Sequence, residues 1–426
     1  MDTDRRLAFL ILRDVERKAA YSNLALNSRL KEGVARSESF VRELVYGILR
    51  NQLLLDWNIE RFLKKPGLRT AEKLLLRMGF YQISCMDSVP QYAAVNESVE
   101  LAAVFAKGRR GFINGVLRNF VREGGMLLLP DEAATGEERF LSVKYSCHES
   151  IVALWLAAYG RERTEEMLAE SLSPAPLSAR VNTLKTSREE LLKRLQNKAF
   201  SAREGRLACS VFLEGSGVLG SEEFSEGLFQ VQSEASQLAV EVLAPKPGDF
   251  VIDLCAAPGG KCCTAAMLME NRGSIKAFDC HEQRTGLITK LAERLGIGII
   301  SVETADAALF NEELRNSADC VICDVPCSGL GVMRRKPELK LKALSSDPEN
   351  LIKTQNQILN NGALYVKLKG GKLLYSTCTV NPAENSQVVR AFLEEHSVFA
   401  VEYERQIFPC GDSDGFYICL LRRQDD

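Results

Sequence analysis

The chain has 426 residues, 46% of them hydrophobic and 26% charged, which is enough for two or three domains with at least one sizeable core. Its formal charge is −2, and it holds no low-complexity tract and no run of about 18 apolar residues, so no membrane-spanning helix is expected. The opening Met1-Asp2-Thr3-Asp4-Arg5-Arg6 is followed by no apolar stretch of secretory type, so a cytoplasmic protein is expected.

Residues 1–125 read as helices. Over 5–18, Leu7, Leu10, Ile11 and Val15 fall on one face at helical spacing. The stretches 39–49, 71–83, 93–105 and 112–121 repeat the pattern, interrupted at Pro90, which predicts an all-helical domain over 1–130. Residues 1–125 carry 21 Lys and Arg against 14 Asp and Glu, so the rest of the chain is net acidic. Such a split suits contact with nucleic acid, and equally a solvated helical surface.

The run Met126-Leu127-Leu128-Leu129 ends at Pro130-Asp131 and passes into acidic, glycine-containing sequence up to 138, a boundary signal. Residues 146–225 are mixed: a helix over 151–159, the prolines Pro174 and Pro176, a strand over 178–182 and a helix over 187–195. They are expected to form a small α/β linking domain.

From 226 to 426 strands and helices alternate. Strands are expected over 250–254, 274–279, 299–303, 318–324 and 372–376, with helices near 262–270, 283–295, 349–367 and 384–395. The alternation predicts an α/β fold, a Rossmann-like doubly wound sheet with helices on both faces. Ligands of such sheets sit beyond the carboxyl ends of the strands, at the switch point. The fourth strand usually lies beside the first, with the fifth beyond it.

The first strand leads into Asp253-Leu254-Cys255-Ala256-Ala257-Pro258-Gly259-Gly260-Lys261 and then a helix. The glycines allow close approach of a ligand, and a helix start favours negative groups. A phosphate-binding P-loop would need glycine where Cys255 stands and Ser or Thr where Cys262 stands, and no G-x-G-x-x-G is present. Nucleoside triphosphate and dinucleotide readings therefore lose ground. Asp279 closes the second strand and Asp306 follows the third, both at strand ends where a nucleoside would bind.

The chain has 13 cysteines, and without a secretory signal a disulfide framework is not expected. Cys320 and Cys323 fall in one apolar strand whose alternation points them to opposite faces, poor geometry for a shared metal. His148, His281 and His396 are isolated in sequence, which leaves little for a Ser-His-Asp triad, and no metal site is expected. Two cysteines stand apart. Cys327 ends Asp324-Val325-Pro326-Cys327, and Cys378 lies in Tyr375-Ser376-Thr377-Cys378-Thr379, just past the last parallel strand. Cys327 reads as a nucleophile, a metal ligand or a small turn residue, and the expected strand order brings it and Cys378 into one pocket with Asp324 and the glycine loop.

The segments 253–261, 324–331 and 375–385 together resemble the S-adenosylmethionine-dependent RNA cytosine-C(5) methyltransferases. Residues 42–47, 94–100 and 111–118 are similar to the NusB-like RNA-binding domain. The combination, spanning nearly the whole chain, resembles the Sun (RsmB) family of bacterial 16S ribosomal RNA methyltransferases. Cys262 and Cys263 replace two threonines of the family pattern, and Leu339-Lys340-Leu341 lacks its usual aromatic residue.

The resemblance implies S-adenosylmethionine as cofactor, held by Cys255, Ala256, Ala257, Pro258, Gly259, Gly260, Lys261, Asp279, Asp306 and Asp324. It implies Cys378 as the thiolate that adds to carbon 6 of cytosine, Cys327 as a helper in release of the methylated base, and Asp324 as a hydrogen-bond partner of the ring edge. Arg334, Arg335 and Lys336 are expected on backbone phosphates. The implied partner is 16S ribosomal RNA or a small-subunit precursor, with no DNA and no membrane, and the chain is expected to be monomeric. The same chemistry on transfer RNA, another ribosomal site, or a non-catalytic RNA-binding role are the alternatives.

Overall fold

The computed structural model describes residues 2–18, 21–65, 67–215, 217–344 and 348–424. The chain divides into two compact units, Met1–Pro174 with Met333–Leu344, and Ala175–Val332 with Ser345–Asp426.

The first unit is helical. Thr3–Lys18, Glu38–Arg50, Thr70–Cys85, Gln91–Phe105 and Arg110–Arg122 are the five helices expected from periodicity. Ser37 caps the second of these by accepting the Phe40 N–H, and buried Val41, Leu44, Val45 and Ile48 form its inner stripe. Phe80 and Phe120 stack in the core with centroids 3.9 Å apart. Buried Arg77 is held by both oxygens of Asp56, each at 2.7 Å. Gly47 is required by close packing, since a Cβ there would stand 2.0 Å from the Tyr81 hydroxyl.

Ser22–Leu30, Gln52–Glu60 and Glu137–Tyr145 are also helices, which periodicity alone does not predict. Each has only 9 residues, too short to form without packing against neighbours. The helix expected over 151–159 extends as Glu149–Glu170, turning at Gly160, where φ is 74°.

Met333–Leu344 belongs to this helical unit through buried polar contacts. Ser22 donates its amide and hydroxyl to Glu338 at 3.2 and 2.6 Å. Lys340 is fully buried and donates to the Tyr145 carbonyl at 2.9 Å and to Ser171 at 3.3 Å. Its own carbonyl accepts the His148 N–H at 2.7 Å.

The second unit holds two sheets. Strands β1 (Leu177–Val181), β2 (Ser201–Glu204), β3 (Ser210–Glu214) and β4 (Phe229–Val231) form an antiparallel sheet of order β2-β3-β1-β4. The larger sheet contains β5 (Phe250–Asp253), β6 (Ser274–Asp279), β7 (Ile300–Thr304), β8 (Cys320–Asp324), β9 (Lys372–Thr377), β10 (Phe399–Ile407) and β11 (Phe416–Arg423). Its order is β10-β11-β9-β8-β5-β6-β7, parallel from β9 to β7, so the fourth strand does lie beside the first and the fifth beyond it. The antiparallel hairpin of β10 and β11 adds an edge beyond the expected strands. Its signal is present in sequence as the apolar alternation Val401, Tyr403 and the run Tyr417-Ile418-Cys419-Leu420-Leu421.

Alternation along β8 sends Cys320 and Ile322 into the core under helices Glu234–Leu243, Gly260–Leu268 and Glu282–Leu295. Val321 and Cys323 enter the opposite core with helices Pro348–Tyr365 and Ser386–Glu395. Cys320 and Cys323 thus point apart, as their spacing requires. Among the described residues no helix is long and apolar enough to cross a membrane.

Candidate active site

The site forms where β5, β6, β8 and β9 end, all within the second unit. The backbone leaving β5 stays anchored to its neighbours, with the Leu254 N–H on the Ile322 carbonyl at 3.0 Å and the Ala256 N–H on the Phe278 carbonyl at 2.8 Å. Gly259, at φ 109°, then turns the chain into helix Gly260–Leu268. A Cβ at Gly259 would approach the Ile288 Cα to 3.2 Å, so glycine serves both the turn and the packing. Cys262 and Cys263 are buried in the core below, where they act as small hydrophobes.

This loop walls a cavity of about 200 Å³ together with Gln232, Ser233, Asp253, Lys261 and Asp324. Lys261 reaches Asp324 at 2.6 Å, and Ser376 donates to the other oxygen of Asp324 at 2.8 Å. The Lys261 ammonium also lies 5.1 Å from the Phe416 ring centroid. Asp253 is fully buried, and neither of its oxygens has a well-formed hydrogen bond among the described residues. Burial, then the neighbouring Asp324 charge, pushes its carboxyl up to about 7. Burial likewise pushes the Cys255 thiol well up, so Cys255 is a wall of the cavity rather than a thiolate.

Asp279 is buried at the end of β6, accepts the His281 N–H at 3.2 Å and faces Arg284 at 3.4 Å. Asp306 lies beyond β7, where the Ala305 N–H binds the Asp279 carbonyl at 3.1 Å. The Asp306 side chain is exposed and accepts the Ala308 N–H at 2.9 Å, closing its own turn. The structure therefore gathers the glycine loop, Lys261 and Asp324 around one cavity, while Asp279 at the next strand end and Asp306 beyond β7 stand outside its lining.

Cys327 and Cys378 meet. Their sulfurs lie 3.2 Å apart, both partly exposed, on the loops that follow the adjacent strands β8 and β9. Contact with Cys378, burial, and the charges of Cys378 and Glu384 all push the Cys327 thiol well up. A thiol donating to its neighbour stabilises that neighbour as thiolate. Either sulfur can donate to the other, so the structure joins two thiols at one site.

One expectation is corrected. Arg334 is buried and paired with Glu170 at 2.6 Å, and Lys336 lies over the Tyr21 ring at 4.8 Å. Arg334 is consumed in holding its own segment and is not available to phosphates. Sequence reasoning also passed over Asp253, Ser376, Ser328 and Glu384. All four stand within or beside the quoted motifs, but their polar types alone do not say what they face.

Comparison with known proteins agrees with this layout. The model of the 16S rRNA methyltransferase RsmB/F family matches residues 240–422, that of the NusB family matches 2–122, and a ferredoxin-like domain of RsmF/B-like methyltransferases matches 149–217. A probable ribosomal RNA small subunit methyltransferase B of Bacillus subtilis is 37% identical, covering 99% of this chain and 98% of that protein. Ribosomal RNA small subunit methyltransferase B of Vibrio vulnificus is 33% identical over 91% of this chain and 92% of its own. Among solved structures, that of PH0851 superposes with a TM-score of 0.84 at 26% identity, covering 99% of this chain and 98% of that one. A methyltransferase homologue from Pyrococcus horikoshii gives 0.59 at 27% identity, covering 66% of this chain and 97% of its own.

Proposed function

The chain belongs to the RsmB/F family of ribosomal RNA methyltransferases, and we propose that it methylates carbon 5 of a cytosine in 16S ribosomal RNA, with Cys378 as covalent nucleophile. The observation that carries the chemistry is the 3.2 Å approach of Cys327 to Cys378 beside the Lys261–Asp324 pair. Carbon 5 of cytosine is a poor nucleophile. Addition of the Cys378 sulfur to carbon 6 makes carbon 5 enamine-like, and loss of the carbon-5 proton after methylation lets the carbon–sulfur bond break.

Asp324 is held on both oxygens, by Lys261 and Ser376, so its position is fixed before the base arrives. It hydrogen-bonds the ring edge as charge develops. Cys327 keeps a proton beside Cys378 and assists release of the modified base. The target nucleotide must leave any stack to reach this depth.

The cavity suits S-adenosylmethionine, which when bound supplies an electrophilic methyl on a sulfonium centre. Asp253 and Asp324 face Lys261 in the cavity wall, and the buried Asp253 carboxyl, once ionised, favours a cationic guest. The backbone from Cys255 through Ala256, Ala257 and Pro258 to Gly259 and Gly260, with Lys261, Asp279 and Asp306, would hold it. Residues 1–130 supply RNA contact, 146–225 link, and 226–426 catalyse. The chain acts as a cytoplasmic monomer on the ribosomal RNA or an assembling subunit.

The test is methyl transfer from labelled S-adenosylmethionine to unmodified small-subunit ribosomal RNA, with the product located by bisulfite sequencing. A single modified cytosine is expected. Transfer to transfer RNA alone would overturn the substrate, and no transfer to any RNA would overturn the activity.

A further inference from the structure

The loop after Cys378 ends in the short turn Pro382–Glu384, and Glu384 is buried at 1% exposure. Among the described residues no cation pairs with its carboxylate. Neutral donors converge on it instead. The Ser328 N–H reaches one oxygen at 2.8 Å and the Ser328 hydroxyl takes the other. Gln355 and Asn381 each add an amide N–H at 3.0 Å.

These contacts bracket both cysteines. Cys327 sits between Pro326, whose carbonyl accepts from Gln355 at 2.9 Å, and Ser328, which Glu384 grips twice. Cys378 sits between Thr377 and Thr379. The Thr377 hydroxyl donates to Asn385 at 2.6 Å, the Thr379 carbonyl accepts from Asn385 at 3.0 Å, and the Thr379 hydroxyl lies 2.8 Å from that of Ser328. The Glu384 carbonyl is itself pinned by the Tyr375 hydroxyl at 2.7 Å.

We propose that Glu384 is a positioning residue, whose carboxylate clamps the Cys327 loop through Ser328 and so fixes the Cys327 sulfur against that of Cys378. A buried carboxylate with four neutral donors is an expensive feature to keep unless its geometry is needed, because an ionised group gains less from burial than an apolar one. Glutamine cannot replace it. An amide offers one accepting oxygen where the two Ser328 donors, Gln355 and Asn381 require two, and its NH₂ would face donors. The negative charge has a second effect, since it helps hold the Cys327 thiol well up. The kinetic consequence rests on the methyltransferase reading above, whereas the positional one rests on the loop geometry alone.

The experiment compares Glu384→Gln and Ser328→Ala with the unaltered full chain, reading two quantities. One is the rate at which a short bifunctional thiol reagent joins Cys327 to Cys378, mapped by peptide mass spectrometry. The other is single-turnover methyl transfer, with S-adenosylmethionine affinity as control. Glu384→Gln is expected to slow both rates by about 100-fold, the effect of a displacement near 1 Å, with affinity unchanged. Ser328→Ala keeps the amide contact and is expected to fall between. Wild-type rates of cross-linking and transfer in Glu384→Gln would overturn the proposal. So would loss of S-adenosylmethionine binding in both variants, which would mark Glu384 as a general support of the fold. Cross-linking that depends on Glu384 in a chain that transfers no methyl would sustain the clamp and sink the methyltransferase reading instead.

Discussion

The sulfur of Cys327 lies 3.2 Å from that of Cys378, although the two residues belong to loops leaving different strands. The register explains the meeting. Asp324 at the end of β8 pairs with Ser376 in β9, so the two loops leave the sheet side by side and in the same direction. The Val325 N–H on the Ser376 carbonyl, at 3.1 Å, extends that alignment one step further.

The pair gives the first prediction. Cys378→Ala is expected to abolish methyl transfer, because it removes the attacking sulfur and the neighbouring Cys327 thiol is held well up. Cys327→Ala is expected to leave addition intact and to accumulate a covalent protein–RNA adduct, visible as a retarded band on a denaturing gel. Near-normal turnover in Cys378→Ala would refute the assignment of roles.

Asp253 should make ligand binding and stability depend on pH. Its carboxyl is raised from 3.8 to about 7, so within that window the folded chain keeps a proton that the unfolded chain gives up. Stability contributed by this group is therefore lost as pH rises from about 4 to 7, by a few kcal/mol at most. A cationic ligand gains around pH 7, where the carboxylate forms in the folded chain. S-adenosylmethionine affinity measured by calorimetry is expected to rise from pH 6 to 8 in the unaltered protein and to stay flat in Asp253→Asn.

Lys340 predicts the opposite slope in the helical unit. Burial lowers its ammonium to about 7 from 10.5, so between those values the unfolded chain binds a proton that the folded one does not. Stability of this unit then rises with pH across the window. The chain has 2 tryptophans, Trp57 and Trp155, both in this unit, so their fluorescence reports its unfolding. Denaturant midpoints are expected to increase from pH 7 to 9, and Lys340→Met should remove most of that rise.

Gly331 holds the Cys378 loop by close backbone approach. Its N–H binds the Cys378 carbonyl at 3.0 Å, and its carbonyl accepts the Gly415 N–H at 2.8 Å. A Cβ there would stand 2.1 Å from the Gly415 carbonyl oxygen and 2.8 Å from that of Cys378. Gly331→Ala is expected to cost about 1–3 kcal/mol of stability and to impair transfer more than S-adenosylmethionine binding. A variant with wild-type turnover would show that the Cys378 loop tolerates displacement.

Much of this protein could be read locally. Residues 5–18, 39–49, 71–83, 93–105 and 112–121 announce helices by spacing, and Asp253–Lys261, Asp324–Gly329 and Tyr375–Asn385 announce loops after strands, because period and turn chemistry are properties of neighbours in the chain. The short helices Ser22–Leu30 and Gln52–Glu60 escaped for the converse reason: nine residues gain their stability from what they pack against. Likewise, basic type alone suggested that Arg334 met RNA, whereas its burial against Glu170 was invisible in one dimension.

The sequence by itself determined the alternating architecture, the glycine loop and the presence of two cysteines at neighbouring strand ends. Only the tertiary structure decided that their sulfurs touch, that Lys261 and Ser376 hold Asp324, that Asp253 is buried beside Asp324, and that Glu384 grips Ser328. Those pairings join residues distant in the chain. Strand order and register set them, and both follow from how side chains pack on the two faces of the sheet, which no local pattern encodes.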